Sequence, residues 1–126
     1  MGEKACVRRV FLLAAAVCLA GGCGVPQELS KQAEEVHSVA AEGALLAHEA
    51  SEGSSTNTFT REHAKALQKL LGELRPAIEN AHLAQIAAKV DAMLAALAEE
   101  PGRRSRAVLL ERALDRAART ADELAG

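Results

Sequence analysis

The chain has 126 residues and carries 15 lysines and arginines against 17 aspartates and glutamates, a formal net charge of −2 at pH 7. That length suits one domain, and the slightly acidic balance argues against nucleic acid, whose binding requires a concentrated basic face. With only two phenylalanines and no tryptophan or tyrosine, the core must be built mainly from alanine and leucine. We therefore expect a small, marginally stable domain.

The first segment has the features of an export signal. Lys4, Arg8 and Arg9 give it a positive start, and residues 10–20 then form an apolar run. Such a run is too short to span a bilayer as a helix, and its length is typical of a secretory signal peptide.

A cysteine follows this run directly, in the sequence Leu19-Ala20-Gly21-Gly22-Cys23. The segment resembles the lipobox of bacterial lipoproteins. The resemblance implies that Cys23 is acylated by diacylglycerol and becomes the mature N-terminus, and it covers residues 1–23 only.

On this interpretation residues 1–22 are a signal peptide, and residues 23–27 are the lipidated N-terminus and a short tether. Gly24, rather than aspartate, follows the cysteine. In a host with two membranes this resembles the lipoproteins that are passed on to the outer membrane, on its periplasmic face. Acylated Cys23 is the one cysteine of the mature chain, so no disulfide is expected.

Two alternatives for the N-terminus stay open. One is an ordinary cleaved signal peptide with an incidental cysteine. The other concerns the route, because residues 8–12 read Arg-Arg-Val-Phe-Leu and resemble the twin-arginine export motif. That route carries folded, often cofactor-bearing proteins.

Residues 28–126 predict an all-α fold. They are rich in strong helix formers, and they show no alternation typical of strands. The first helix begins near Pro26 and ends by Gly53. Its inner stripe comprises Leu29, Ala33, Val36, Val39, Ala40, Gly43, Leu46, Ala47 and Ala50. Gly43, at the centre, allows a neighbouring helix to approach closely.

The second helix is predicted to begin with Thr60 as its N-cap, and Phe59 is placed to pack on Ala64. Its apolar stripe is the strongest in the chain and comprises Leu67, Leu70, Leu71 and Leu74.

The apolar direction changes between Arg75 and His82, around Pro76. Either the chain turns there and Asn80 caps a third helix, or one long helix is kinked by the proline. The third stripe comprises Leu83, Ile86, Val90, Met93, Leu94 and Leu97.

The last helix, residues 103–124, follows a stop at residues 99–102. Its inner face comprises Ala107, Leu110, Leu114, Ala117, Ala118 and Ala121. Three arginines at its start, Arg103, Arg104 and Arg106, are either a solvated helix end or a site for an anion, a lipid head group or an acidic partner. The segments together predict a small antiparallel up-down bundle of three to four helices.

No catalytic motif is present, and we expect no enzyme activity and no cofactor. Two Glu-x-x-His pairs, Glu34 with His37 and Glu79 with His82, have the spacing found in di-iron bundles. At about 100° per residue, Glu34 and His37 project largely towards solvent from the first helix, which argues against that site. A metal- or haem-binding bundle using His37, His48, His63, His82 or Met93 is the alternative function.

The function that the sequence favours is therefore a helical interaction or structural module, anchored by lipid on Cys23 in the bacterial envelope. Its expected partners are the membrane, through that lipid, and another envelope protein.

Overall fold

A computed structural model describes residues 26–126 as four helices: α1 (Gln27–Glu52), α2 (Asn57–Leu74), α3 (Ala81–Glu99) and α4 (Arg104–Ala125). The signal-peptide, twin-arginine and Cys23 predictions fall on residues outside this range. Within the described range there is no strand, and successive helices run antiparallel around one shared core. The predicted all-α bundle is confirmed.

Helices α1 and α4 pack most closely, along faces built of small residues. Ser30 Oγ donates to the carbonyl of Ala125 at 2.6 Å and so joins the start of α1 to the end of α4. Gly43 is buried at the middle of α1, where a Cβ would lie 2.9 Å from Leu94 Cδ2 and 3.4 Å from Leu114 Cδ1. The space in front of Gly43 is filled by side chains of Leu94 and Leu114, which pack directly on the α1 backbone at this position.

Helix α2 begins earlier than predicted. Thr56, not Thr60, is the N-cap, and its hydroxyl accepts a hydrogen bond from the Phe59 backbone N–H at 3.1 Å. Thr60 instead lies inside the helix, 1% exposed, with its hydroxyl 2.8 Å from Ser55 Oγ.

The set of α2 residues that face the core also differs from the prediction. Thr60, Ala64, Leu67 and Leu71 share one edge of the helix and are buried, whereas Leu70 is 55% exposed. Because successive residues of a helix are about 100° apart, the four leucines do not all point in one direction. Thr60 and Ala64 lie on the same side of the helix as Leu67 and Leu71, so this side faces the core and Leu70 lies outside it. The prediction that Leu70 is buried was wrong.

The chain turns between α2 and α3, as the change of apolar direction predicted. A single 3₁₀ turn, Arg75–Ala77, includes Pro76, and Ile78 then adopts an extended conformation. Asn80 caps α3 by accepting from the Leu83 backbone N–H at 2.9 Å. The alternative of one long kinked helix is excluded.

Helix α3 contributes several of the largest buried side chains of the core. Its buried residues are Leu83, Ile86, Ala87, Val90, Leu94, Leu97 and Ala98, and Met93 is partly buried. Among the described helices α3 alone is long and apolar enough to cross a membrane by length and composition. A core helix of a soluble bundle meets the same criterion, and the most apolar edge of α3 already packs on its neighbours.

Residues 26–126 thus contain a complete core. The largest fully buried side chains are contributed by all four helices: Val36, Leu67, Leu71, Leu83, Val90, Leu94, Leu97 and Leu114, with Thr60. Within this range no buried polar side-chain atom lacks a hydrogen-bond partner.

Candidate functional site

Three of the four histidines connect α1 to a neighbouring helix. His37 Nδ1 lies 2.7 Å from the carbonyl oxygen of Ala118 on α4. Because a carbonyl oxygen can only accept, the protonated Nδ1 donates this hydrogen bond. His48 Nδ1 lies 3.0 Å from Glu111 Oε1, also on α4. His37 and His48 therefore project towards the same neighbouring helix, α4. His37 is half-buried rather than largely solvent-facing as expected.

The remaining histidines lie apart from these two. His63, on α2, has Nε2 3.7 Å from Glu42 Oε1 on α1 and its ring packs edge-to-face on Phe59. His82 is exposed in the first turn of α3.

The two Glu-x-x-His pairs do not face each other across the core. Glu34 is exposed, and Glu79 is exposed and precedes the α3 cap. Over residues 26–126 no group of three or more His, Cys, Asp or Glu side chains comes together as metal ligands.

The arginines before and within the first turn of α4 have partners on the protein itself. Arg103 and Arg106 both reach Glu100, at 3.0 and 3.5 Å. The Arg104 guanidinium packs against Gly53, which ends α1 in the left-handed conformation. There its positive charge lies by the negative end of the α1 dipole.

An open groove with a volume of about 680 Å³ lies between α1 and α2. Its apolar floor is Val39, Leu74 and the half-exposed Leu70. This volume lies within the range of about 300–1,000 Å³ that ligand sites occupy.

The rim of this α1/α2 groove is acidic. Glu34, Glu35 and Glu73 line it, with Lys31 and Ser38 beside them. None of these three glutamates forms an ion pair with another described residue. The groove therefore combines apolar area with an excess of uncompensated negative charge.

Sequence reasoning missed this groove because it assigned Leu70 to the core. The local sequence held no deciding signal, because Thr56 and Thr60 are equally suitable caps by type and only the burial of Thr60 and Ala64 shows which leucines face inwards. Three other large apolar side chains are also exposed, and they lie elsewhere: Leu45, Phe59 and Leu109.

Comparison of the chain with protein-family models, with curated proteins and with solved structures gave no match.

Proposed function

We propose that the protein is a lipid-anchored binding module of the bacterial envelope, without catalytic activity, which docks a basic amphipathic segment of another envelope protein in the α1/α2 groove. The observation that carries the docking proposal is the exposure of Leu70 over an apolar floor with an acidic rim. The anchor is supported by the lipobox-like sequence that ends at Cys23.

If the lipid is on Cys23, the small number of residues before α1 limits how far the groove can lie from the membrane. Three peptide units separate Cys23 from Pro26, a reach of at most about 11 Å. The groove residues of α1 lie between Lys31 and Val39. At a rise of about 1.5 Å per residue they begin roughly 6 Å beyond the start of α1 and continue for about 12 Å. A partner attached to the same membrane is within reach.

The chemistry of the groove defines the partner. An apolar helix face that covers Leu70 and Leu74 gains binding free energy, about 25 cal/mol for each Å² of apolar surface removed from water. The three rim glutamates favour lysine or arginine flanking that face, and they disfavour an acidic segment. This is the helix-in-groove mode of peptide recognition.

Site-specific photocrosslinking in the native host tests the docking site. A photoreactive residue at position 70 should give a discrete adduct, whereas the same residue at position 109 should not. Leu109 is a matched control because it is 64% exposed, comparable with the 55% of Leu70, but lies on α4. Reversing the rim charge with Glu34→Lys and Glu73→Lys should abolish the adduct at position 70.

The peptide mapped at the crosslink decides the identity of the occupant. A segment with apolar residues at helical spacing and flanking lysines or arginines supports the proposal. An acidic segment, a lipid adduct, or equal crosslinking from positions 70 and 109 would refute it.

The anchor has its own test. Cys23→Ala should block lipid labelling, leave the precursor unprocessed at that site and release the chain from normal membrane attachment. Cys18→Ala, five residues away in the same segment, is the matched control and should be labelled like the parent.

A further inference from the structure

A second groove lies between α3 and α4, with a volume of about 520 Å³. From α3 it is lined by His82, Gln85, Ile86, Lys89, Ala92 and Met93. From α4 it is lined by Ala113, Arg116, Ala117 and Thr120. The first and last α3 residues of this lining are eleven steps apart along the helix, so the groove is about 16 Å long, which is comparable with an extended acyl chain.

The charge of this α3/α4 groove is opposite to that of the α1/α2 groove. Lys89, Arg116 and His82 line it, and no carboxylate does. Residues 1–22 hold three basic residues and one acidic residue, which leaves 12 basic and 16 acidic residues in 23–126. A purely basic lining is therefore a local reversal in a chain whose mature part is acidic.

Two carboxylates close in sequence to the cations of the groove, Asp91 and Asp115, pair with other residues. Asp91 pairs with Arg75 at 3.6 Å, and Asp115 pairs with Arg119 at 3.3 Å. Neither Lys89 nor Arg116 has an ion-pair partner among residues 26–126. Both cations are thus available to an anion in the groove.

The floor between these cations is apolar. Ile86 is 5% exposed, Met93 is partly buried, and Ala113 and Ala117 complete the surface. Methionine adapts its shape to irregular apolar ligands, and a guanidinium binds carboxylate and phosphate oxygens in pairs.

We infer that the α3/α4 groove binds a single-chain anionic lipid, with its acyl chain over Ile86 and Met93 and its anionic head group at Lys89 and Arg116. This site is separate from the α1/α2 groove, and its binding chemistry does not depend on the anchor. The proposed lipid on Cys23 affects only how close the groove lies to membrane lipids that it could bind. His82 and Thr120 lie at the same end of the bundle as the start of α1, which the tether holds near the bilayer.

The test uses a chain of residues 24–126, because residues 26–126 hold the complete core, and measures binding by calorimetry below the micelle concentration of each probe. Palmitate and lysophosphatidylglycerol should both bind, with a stoichiometry near one. Lysophosphatidylcholine carries a matched chain with a zwitterionic head, and inorganic phosphate carries charge without a chain, so both should bind at least about tenfold more weakly. Palmitate binding alone or lysophosphatidylglycerol binding alone would identify which head group the site accepts, and either supports the inference.

Substitutions then locate the site. Lys89→Ala and Arg116→Ala should each weaken binding roughly threefold to tenfold, because each removes one solvent-accessible ion pair. Lys65→Ala, on the α2/α3 surface, is the matched control and should leave binding unchanged. Equal binding of lysophosphatidylcholine, or full binding by the Lys89→Ala/Arg116→Ala double variant, would overturn the inference. Absence of binding to both anionic probes would overturn it as well. None of these outcomes bears on crosslinking at position 70.

Discussion

Gly43→Ala would add a methyl group to the packed core in front of α1, and its effect can be worked from the structure. An added methyl would lie 2.9 Å from Leu94 Cδ2 and 3.4 Å from Leu114 Cδ1, and both leucines are fully buried. Replacing glycine by alanine in a helix interior gains up to about 1 kcal/mol, whereas overpacking a core costs about 1–3 kcal/mol. We therefore expect Gly43→Ala to range from neutral to a net loss of about 2 kcal/mol.

Gly72→Ala is the matched control. Gly72 also lies within a helix, α2, but a Cβ there would meet nothing within 4 Å. Only the gain in helix propensity remains, so this variant should be stabilised by about 0.5–1 kcal/mol. The difference between the two variants isolates the packing cost in front of Gly43.

Urea unfolding and thermal melting of both variants measure this difference, with each kcal/mol shifting Tm by about 4–8 °C in a domain of this size. A double-mutant cycle identifies the cause. Leu94→Ala alone should cost about 2–5 kcal/mol. In that background Gly43→Ala should become stabilising, because the clashing methyl is gone. If Gly43→Ala raised the Tm as much as Gly72→Ala, the close approach at α1 would be refuted.

Four further variants test the helix ends and the corrected face of α2. Leu71→Ala should cost about 2–5 kcal/mol and Leu70→Ala less than about 0.5 kcal/mol, because Leu71 is 0% and Leu70 55% exposed; equal losses in urea unfolding would contradict this orientation. Asn80→Ala should lose about 1 kcal/mol by removing the cap of α3, and an unchanged midpoint would show that the cap is not needed. Gly53→Ala should cost at least about 1–2 kcal/mol, since φ is +71° and the Arg104 guanidinium occupies the space; a Tm at or above that of the parent would argue against both causes.

Much of the fold followed from periodicity alone. The inner stripes of α1, α3 and α4 were predicted with few errors, because each contains enough apolar residues to fix one direction on the helix. The turn before α3 was predictable as well, since Pro76 coincides with a change of apolar direction and Asn80 stands where a cap is needed.

The errors in α2 have one physical origin. Thr56 and Thr60 are equally suitable capping residues by type, and the local sequence does not decide between them. Tertiary packing decides which threonine caps the helix. In the folded protein the helix starts at Asn57, Thr60 is buried beside Ala64, and Leu70 lies on the exposed side.

Neither groove was predictable from the sequence, and one reason applies to both. A groove depends on which exposed side chains two different helices bring together, as α3 and α4 do with Lys89 and Arg116. Periodicity within one helix gives the direction of its core face but not the position of a neighbour along it.

The central proposal, that a lipid on Cys23 holds this bundle at a membrane, is tested most directly by the intact mass of the chain purified with detergent from its native host. We predict a chain that begins at Cys23 and carries the additional mass of a diacylglyceryl group, located on Cys23 by fragmentation. An unacylated mature chain, or one that begins at any other residue, would contradict the account.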